Sequence, residues 1–224
     1  MISNAVENFL KSIYELRHGE EWVSTSALAE RLDHRPASVT NMIQKVADSD
    51  MDLIEYMPYR GVRLKPNGEM IALEVVRHHR LIELYLTKAL GVPWDKVHDE
   101  AEKLEHVISE DLEDRMAKAL GNPTVDPHGH PIPSKSLKVR KLSSQPLSGV
   151  AVGTTVEVVQ VNDHDPSLLR YLGDMGLYPS TRFTVVNKEA FGNSLHIKIG
   201  DKEHSLGEEA TRYISVAVVE KEAI

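Results

Sequence analysis

The sequence predicts a mainly α protein with a small β domain: an N-terminal winged helix-turn-helix, a helical second domain and a C-terminal SH3-like β-barrel. Three observations predict it. Apolar residues recur at helical spacing up to Leu120, the signature of amphipathic helices. Two short extended runs around a Pro/Gly turn interrupt this pattern after the third helix, as a hairpin wing would. After a Pro-, Gly- and Ser-rich stretch the last third changes to short runs of β-branched residues, which suit a small barrel of about SH3 size.

Each element follows from local chemistry. From Ala5 to Leu16, the residues Val6, Phe9, Leu10, Ile13 and Tyr14 share one helical face. Ser24 or Thr25 can cap a second helix through Leu28, Ala29 and Leu32. Asp33, His34 and Arg35 connect it to a third helix, whose first turn accepts Pro36 because no N–H is needed there. That helix turns Val39, Met42, Ile43 and Val46 inward. Leu53–Met57 and Val62–Leu64 form the expected hairpin, and Pro66-Asn67-Gly68 closes the unit. Glu69 to Leu90 reads as one long helix ended by Gly91, and a second runs from near Trp94 to Leu120, ended by Gly121. Residues 122–146 read as loop and linker. Strands are expected at Thr154–Val161, Arg182–Asn187, Leu195–Ile199 and Ile214–Val219, with a helix at Ser167–Met175. The expected boundaries are 1–70 and 71–140, a linker at 141–150, and 151–224.

Composition excludes several classes. The chain has 224 residues with 41% hydrophobic and 27% charged, an ordinary globular balance rather than a disordered one. Its formal net charge of −8 gives no general attraction to DNA or anionic membranes, so nucleic-acid binding requires a local patch. The absence of cysteine excludes disulfides, thiolate metal sites and cysteine nucleophiles. No signal-like N-terminus and no long apolar run are present, so the expected location is cytoplasmic, without a membrane partner.

The chemistry concentrates in histidine. Six of the eleven histidines lie between residues 78 and 130. His98, Glu102, Glu105 and His106 fall at i, i+4, i+7 and i+8, one face of a continuous helix. His79 and Glu83 are also i and i+4, and Asp126, His128 and His130 add groups in a loop. Imidazole and carboxylate without sulfur suit Mn²⁺, Fe²⁺, Co²⁺ or Zn²⁺. The plainer reading is a solvated face, or an ion-pair network with Arg77 and Arg80. His18, His196 and His204 stand alone and are read as ordinary histidines.

The stretch Lys96 to Val107 (KVHDEAEKLEHV) resembles the central motif of the diphtheria toxin repressor/manganese transport regulator family of metal-activated repressors. Ser12-Ile13-Tyr14-Glu15-Leu16, Ala29-Glu30-Arg31-Leu32, Arg77-His78-His79-Arg80-Leu81 and Pro131-Ile132-Pro133 agree with it in order. Leu169 to Leu177 is similar to the small ferrous-iron-transport accessory protein. The resemblance implies a homodimer whose helical domain binds metal and dimerises, repression of metal-uptake genes, and no enzyme activity. It implies an activating site of Asn8, Glu102, Glu105 and His106, with Glu102 where iron-type members have cysteine. Glu7 neighbours Asn8, and Lys11 stands where some manganese-type members have Glu. It implies an ancillary site of His79, Glu83 and His98, completed by Asp126 and His128 or by Asp163 or Asp165. One or two ions per subunit follow, Mn²⁺ before Fe²⁺. By this reading the metal cross-links the DNA-binding and dimerisation domains.

The third helix is the expected DNA reader. Arg35, Pro36, Ser38, Thr40, Asn41, Gln44 and Lys45 lie at its start or on its outer face, and Arg60 sits at the hairpin tip. Such side chains touch base edges and phosphates. A two-fold dimer matches a palindromic double-stranded operator, with no small organic substrate. The rival classes are a metal-dependent hydrolase, against which no HExxH is found, an iron(II)-dependent repressor of the same family, and a passive metal-binding protein.

Overall fold

The computed structural model describes residues 2–17, 22–189 and 194–219; His18 lies outside them. The chain packs as two units. One holds residues up to His79 with Glu105–Ile108 and Pro133–Lys138; the other holds Arg80–Leu104, Ser109–Ile132 and the chain from Val139 onward.

In the first unit, α1 (Asn4–Leu16) buries Phe9, Leu10 and Ile13. Helix α2 (Thr25–Arg31) is capped by Ser24, whose hydroxyl accepts from Ala27 N, satisfying a donor the first turn leaves open. Helix α3 (Pro36–Ala47) begins on Pro36 and buries Val39, Ile43 and Val46. Strands β1 (Ile54–Met57) and β2 (Gly61–Leu64) pair antiparallel, Ile54 against Leu64 and Met57 against Gly61. One core joins these pieces, with Leu28, Val62 and Ala72 fully buried in it. The winged helix-turn-helix is therefore present. Helix α4 (Pro66–Leu90) starts on the proline that the sequence assigns to a closing turn; its fixed φ suits a first helical position.

Gly61 shows how tightly the wing is seated. Its φ is +113°, and a Cβ there would fall 2.1 Å from Val23 O. Both the backbone conformation and the space demand glycine. Gly61→Ala is expected to lower stability by about 1–3 kcal/mol, read as a fall in the urea midpoint. An unchanged midpoint would mean the wing is not packed this way.

In the second unit, Leu81 and Leu84 of α4 pack with Ala117, Leu120 and Ile132. The single helix expected from Trp94 to Leu120 is instead two, α5 (Val97–Leu104) and α6 (Glu110–Ala119). Ser109 caps α6, accepting from Leu112 N at 3.3 Å, and Glu110, Asp111 and Glu113 fill its first turn. Acids there favour a helix start, and β-branched Val107 and Ile108 weaken continuity before it. Glu105 and His106 thus lie in a turn after α5, not on a helical face with His98 and Glu102.

The C-terminal sheet contains β3 (Gln145–Pro146), β4 (Thr155–Val161), β5 (Arg182–Lys188), β6 (Leu195–Ile199), β7 (Lys202–Leu206) and β8 (Ile214–Val218). Its order is β3-β8-β4-β5-β6-β7, with every pair antiparallel. The two ends, β3 and β7, are not paired with each other among the described residues, so the sheet is open rather than the expected closed barrel. A two-residue end strand finishing in proline, which has no donor, cannot close it. Strand β7 was not anticipated because Lys202-Glu203-His204-Ser205 is a polar edge. Helix α7 (Pro166–Asp174) presses Leu169 and Leu172 onto Val156, Phe183 and Val216. A five-residue helix, α8 (Glu208–Arg212), precedes β8.

Candidate metal centres and nucleic-acid interface

The first unit gathers one polar cluster. On α1, Glu7, Asn8 and Lys11 sit at i, i+1 and i+4, within one turn of each other. Glu105 is buried, and Lys11 Nζ donates to both its oxygens, at 3.0 and 2.8 Å. His79 Nδ1 is 2.5 Å from Glu105 Oε2 and 3.0 Å from Lys11 Nζ. His106 meets three oxygens: Nδ1 is 2.6 Å from Glu7 Oε2, and Nε2 is 2.6 Å from Asn8 Oδ1 and 3.4 Å from Glu105 Oε1. His78, which the sequence did not single out, places Nδ1 3.0 Å from Glu105 O. A first-row ion with bonds of about 2.1 Å needs donors separated by about 3.0–4.2 Å. The distances around His106 are at or just below that range, so modest side-chain movement would open a ligand shell.

Beside this cluster, burial works to raise the Glu15 carboxyl, but Lys11 and Arg31 override it and hold the pKa at about 2. Arg31 donates to it at 2.7 Å. A lowered folded pKa gives stability that is fully present above the ordinary carboxylate value. That contribution should disappear as pH falls from about 4.5 to about 2. Glu15→Gln should flatten the acid limb of stability measured by thermal melting; an unchanged limb would contradict the pairing.

The second unit gathers a larger cluster. Glu83 on α4, His98 on α5, the loop at 126–130 and the end of β4 converge. His98 Nδ1 is 3.3 Å from Glu83 Oε1 and 4.0 Å from Asp163 Oδ2. His128 Nδ1 is 3.6 Å from Glu83 Oε2 and 4.0 Å from Asp163 Oδ2. His130 Nδ1 is 3.3 Å from Asp126 Oδ2 and 3.5 Å from Asp163 Oδ2. His164 Nδ1 is 3.4 Å from Asp163 Oδ1.

Local structure aims these groups. Asp126 Oδ1 accepts from the backbone N–H groups of His128 and His130, at 2.8 and 2.9 Å, leaving Oδ2 to face inward. Gly129, at φ +90°, lets the loop lie against Val159, where a Cβ would be 2.0 Å from the carbonyl oxygen. His128 Nε2 lies 2.8 Å from Trp94 O. A carbonyl can only accept, so Nε2 carries the proton and Nδ1 keeps its lone pair when the ring is neutral, the arrangement a metal-ligating histidine adopts. Neither His128 Nδ1 nor Asp126 Oδ2 makes a hydrogen bond, though both are buried. Orphaned buried donors of this chemistry fit a divalent cation.

The electrostatics agree. Burial lowers the His128 pKa, yet Glu83, Asp126 and Asp163 raise it to about 9. His130 is raised despite burial by Asp126 and Asp163. Asp163 is driven well below the carboxylate range by His130, His164 and His128, against burial and Glu83. The cluster favours positive charge.

Of the ancillary candidates, Glu83, His98, Asp126, His128 and Asp163 come together in this unit. Asp165 instead caps α7, accepting from Ser167 N at 2.8 Å. His79 lies in the first unit beside Glu105. Glu102 lies on α5 with Oε1 3.7 Å from His98 Nε2. His164 was missed; its only signal was its position between Asp163 and Asp165 at a strand end. His196 pairs with Glu189 on the surface at 3.0 Å.

Of the residues expected to face DNA, Arg35, Pro36, Ser38, Asn41, Gln44, Lys45 and Arg60 are exposed. Thr40 is half-buried and donates to Pro36 O at 3.0 Å. Arg60 stacks on Trp22, Cζ 4.5 Å from the ring centroid. Cation–π stacking holds a guanidinium in place while leaving its N–H groups available.

Three family models match successive parts of the chain. Residues 1–62 match the iron dependent repressor N-terminal DNA binding domain, residues 65–134 its metal binding and dimerisation domain, and residues 145–218 the FeoA domain. The chain is similar to the iron-dependent repressor IdeR of Mycobacterium leprae, 32% identical over 96% of this chain and 98% of that protein. It is 37% identical to the diphtheria toxin repressor of Corynebacterium diphtheriae, over 58% of this chain and 57% of that one. A solved manganese-dependent transcriptional repressor in complex with manganese matches with a TM-score of 0.88 at 33% identity, over 96% of this chain and all of that one. The chain belongs to the diphtheria toxin repressor/IdeR family of metal-dependent transcriptional repressors.

Proposed function

We propose that this chain is a homodimeric, cytoplasmic repressor activated by Mn²⁺, with Fe²⁺ as the alternative, acting on metal-uptake genes through a palindromic operator and catalysing no reaction. The observation that carries the reading is that residues from α1 and from the turn after α5 surround one imidazole: Glu7 Oε2 lies 2.6 Å from His106 Nδ1, and Asn8 Oδ1 and Glu105 Oε1 lie 2.6 and 3.4 Å from its Nε2. Glu105, His106 and either Asn8 or Glu7 would hold the activating ion, with Glu102 as the further proposed ligand. A bound ion supplies coordination bonds and charge that join α1 to that turn.

The residues then do the rest. Helix α1 packs in the same core as α3, so fixing α1 fixes the presentation of Ser38, Asn41, Gln44 and Lys45 to the major groove. Arg35 and Arg60 would hold phosphates on either side. The effect is a population shift between DNA-binding arrangements, worth about 1–3 kcal/mol, or 5- to 150-fold in affinity. Mn²⁺ is favoured because the donors are oxygen and imidazole and the chain holds no cysteine. Glu83, His98, Asp126, His128 and Asp163 would hold ancillary metal.

The test is fluorescence anisotropy of the full chain with palindromic operator DNA from the promoters of metal-uptake genes. Titrations would be run with Mn²⁺, with Fe²⁺ under anaerobic conditions, and with chelator. Tightening by at least fivefold with Mn²⁺, and less with Fe²⁺ at equal concentration, is the expected result. Equal affinity in all three arms would overturn the proposal, and a preference for Fe²⁺ would replace the metal.

A further inference from the structure

We propose that the second unit holds a dinuclear centre, two first-row divalent ions bridged by Glu83 and Asp163, with His130 and His164 as ligands. The inference rests on the reading of this protein as metal-binding and goes beyond a single ancillary ion.

The geometry separates two donor groups. The two oxygens of Glu83 face different histidines, Oε1 toward His98 at 3.3 Å and Oε2 toward His128 at 3.6 Å. Asp163 turns Oδ1 toward His164 at 3.4 Å and Oδ2 toward His130 at 3.5 Å, with His98 and His128 each 4.0 Å from Oδ2. His98, Asp163 and His164 form one potential ligand triad, and Asp126, His128 and His130 another. Two carboxylates with one oxygen in each group are the pattern of a bridged pair, a spacing of about 3.5–4 Å between ions in known two-metal sites.

Capacity points the same way. Four imidazoles and three carboxylates converge here, with Glu83, Asp126 and His128 at or near zero exposure. Seven groups exceed the six positions of one octahedral ion. Among the described residues, the orphaned His128 Nδ1 and Asp126 Oδ2 lie in the triad a first ion shared by Glu83 and His98 would leave unfilled. Imidazole content makes Mn²⁺, Fe²⁺, Co²⁺ or Zn²⁺ the ligand class, not Ca²⁺ or Mg²⁺. Both ions would tie α4, α5 and the 126–130 loop to the end of β4.

The test is Mn²⁺ stoichiometry of the full chain by calorimetry and elemental analysis, with electron paramagnetic resonance of the loaded protein. His106→Ala removes the first-unit ion and isolates this centre. That variant should bind two Mn²⁺ per chain, with a broadened spectrum from coupled spins. Adding His164→Ala or His130→Ala should lower the count to one and restore a sharp six-line signal. His164 is more than a third exposed, so its removal should leave the melting temperature of the metal-free protein unchanged. A count of one in the His106→Ala background, or a count unmoved by His164→Ala, would overturn the dinuclear centre. If the centre binds two ions but operator affinity ignores Mn²⁺, the dinuclear inference stands and the repressor reading fails.

Discussion

Lys11→Met is expected to lower the stability of the metal-free protein by about 3–5 kcal/mol. Lys11 and Glu105 form a buried pair, with side chains 4% and 0% exposed. Lys11 gives Glu105 two hydrogen bonds. Removing Lys11 takes two charge-assisted hydrogen bonds from a desolvated carboxylate, leaving its charge to the imidazoles of His79 and His106 at 2.5 and 3.4 Å, and the loss exceeds the value of the pair itself. Added Mn²⁺ should recover much of the loss, because a cation bound at Glu105 would restore its compensation. Urea denaturation in chelator and in Mn²⁺ checks both halves. A loss under 1 kcal/mol in chelator, or no recovery with Mn²⁺, would contradict the role assigned to Glu105. Lysine here also occupies ground that a second carboxylate would need for a second ion, which fits a single ion in the first unit.

His106→Ala is expected to reduce Mn²⁺-dependent tightening on operator DNA to less than twofold, while leaving metal-free affinity as in the parent. His106 is the residue whose ring joins α1, through Glu7 and Asn8, to the turn holding Glu105. Without it the helix and the turn lack their common ligand. Retention of full Mn²⁺ dependence would place the activating ion elsewhere. Loss of metal-free binding as well would indicate damage to the fold rather than to activation.

Much of this was legible in the sequence, and the gaps have physical causes. Pro36 at a helix start, the inward Val39, Ile43 and Val46, and the hairpin around Gly61 are local signals, and all three appear where the pattern puts them. Residues from Trp94 to Leu120 misled because apolar spacing continues across the break. The cap on Ser109 decides the matter, and a serine in a helical pattern is a weak cue. That break moves Glu105 and His106 off the helical face, so spacing alone could not define their geometry. The Lys11–Glu105 pair joins positions far apart in the chain, which no local pattern encodes. Strand β7 hid because an exposed edge strand carries lysine and glutamate rather than alternating apolar residues. The barrel expectation came from strand count; closure depends on pairing between end strands, which strand count does not specify. His164 escaped notice because one histidine beside acids is common on surfaces, and only the fold brings it to Asp163.

The central claim is that an activating cation sits where α1 meets the turn after α5. Anomalous diffraction from crystals of the Mn²⁺-loaded protein bound to operator tests it most directly. The account predicts a manganese peak within bonding distance of Glu105 and His106 and of Glu7 or Asn8. A complex on operator with manganese only in the second unit, and none beside His106, would contradict it.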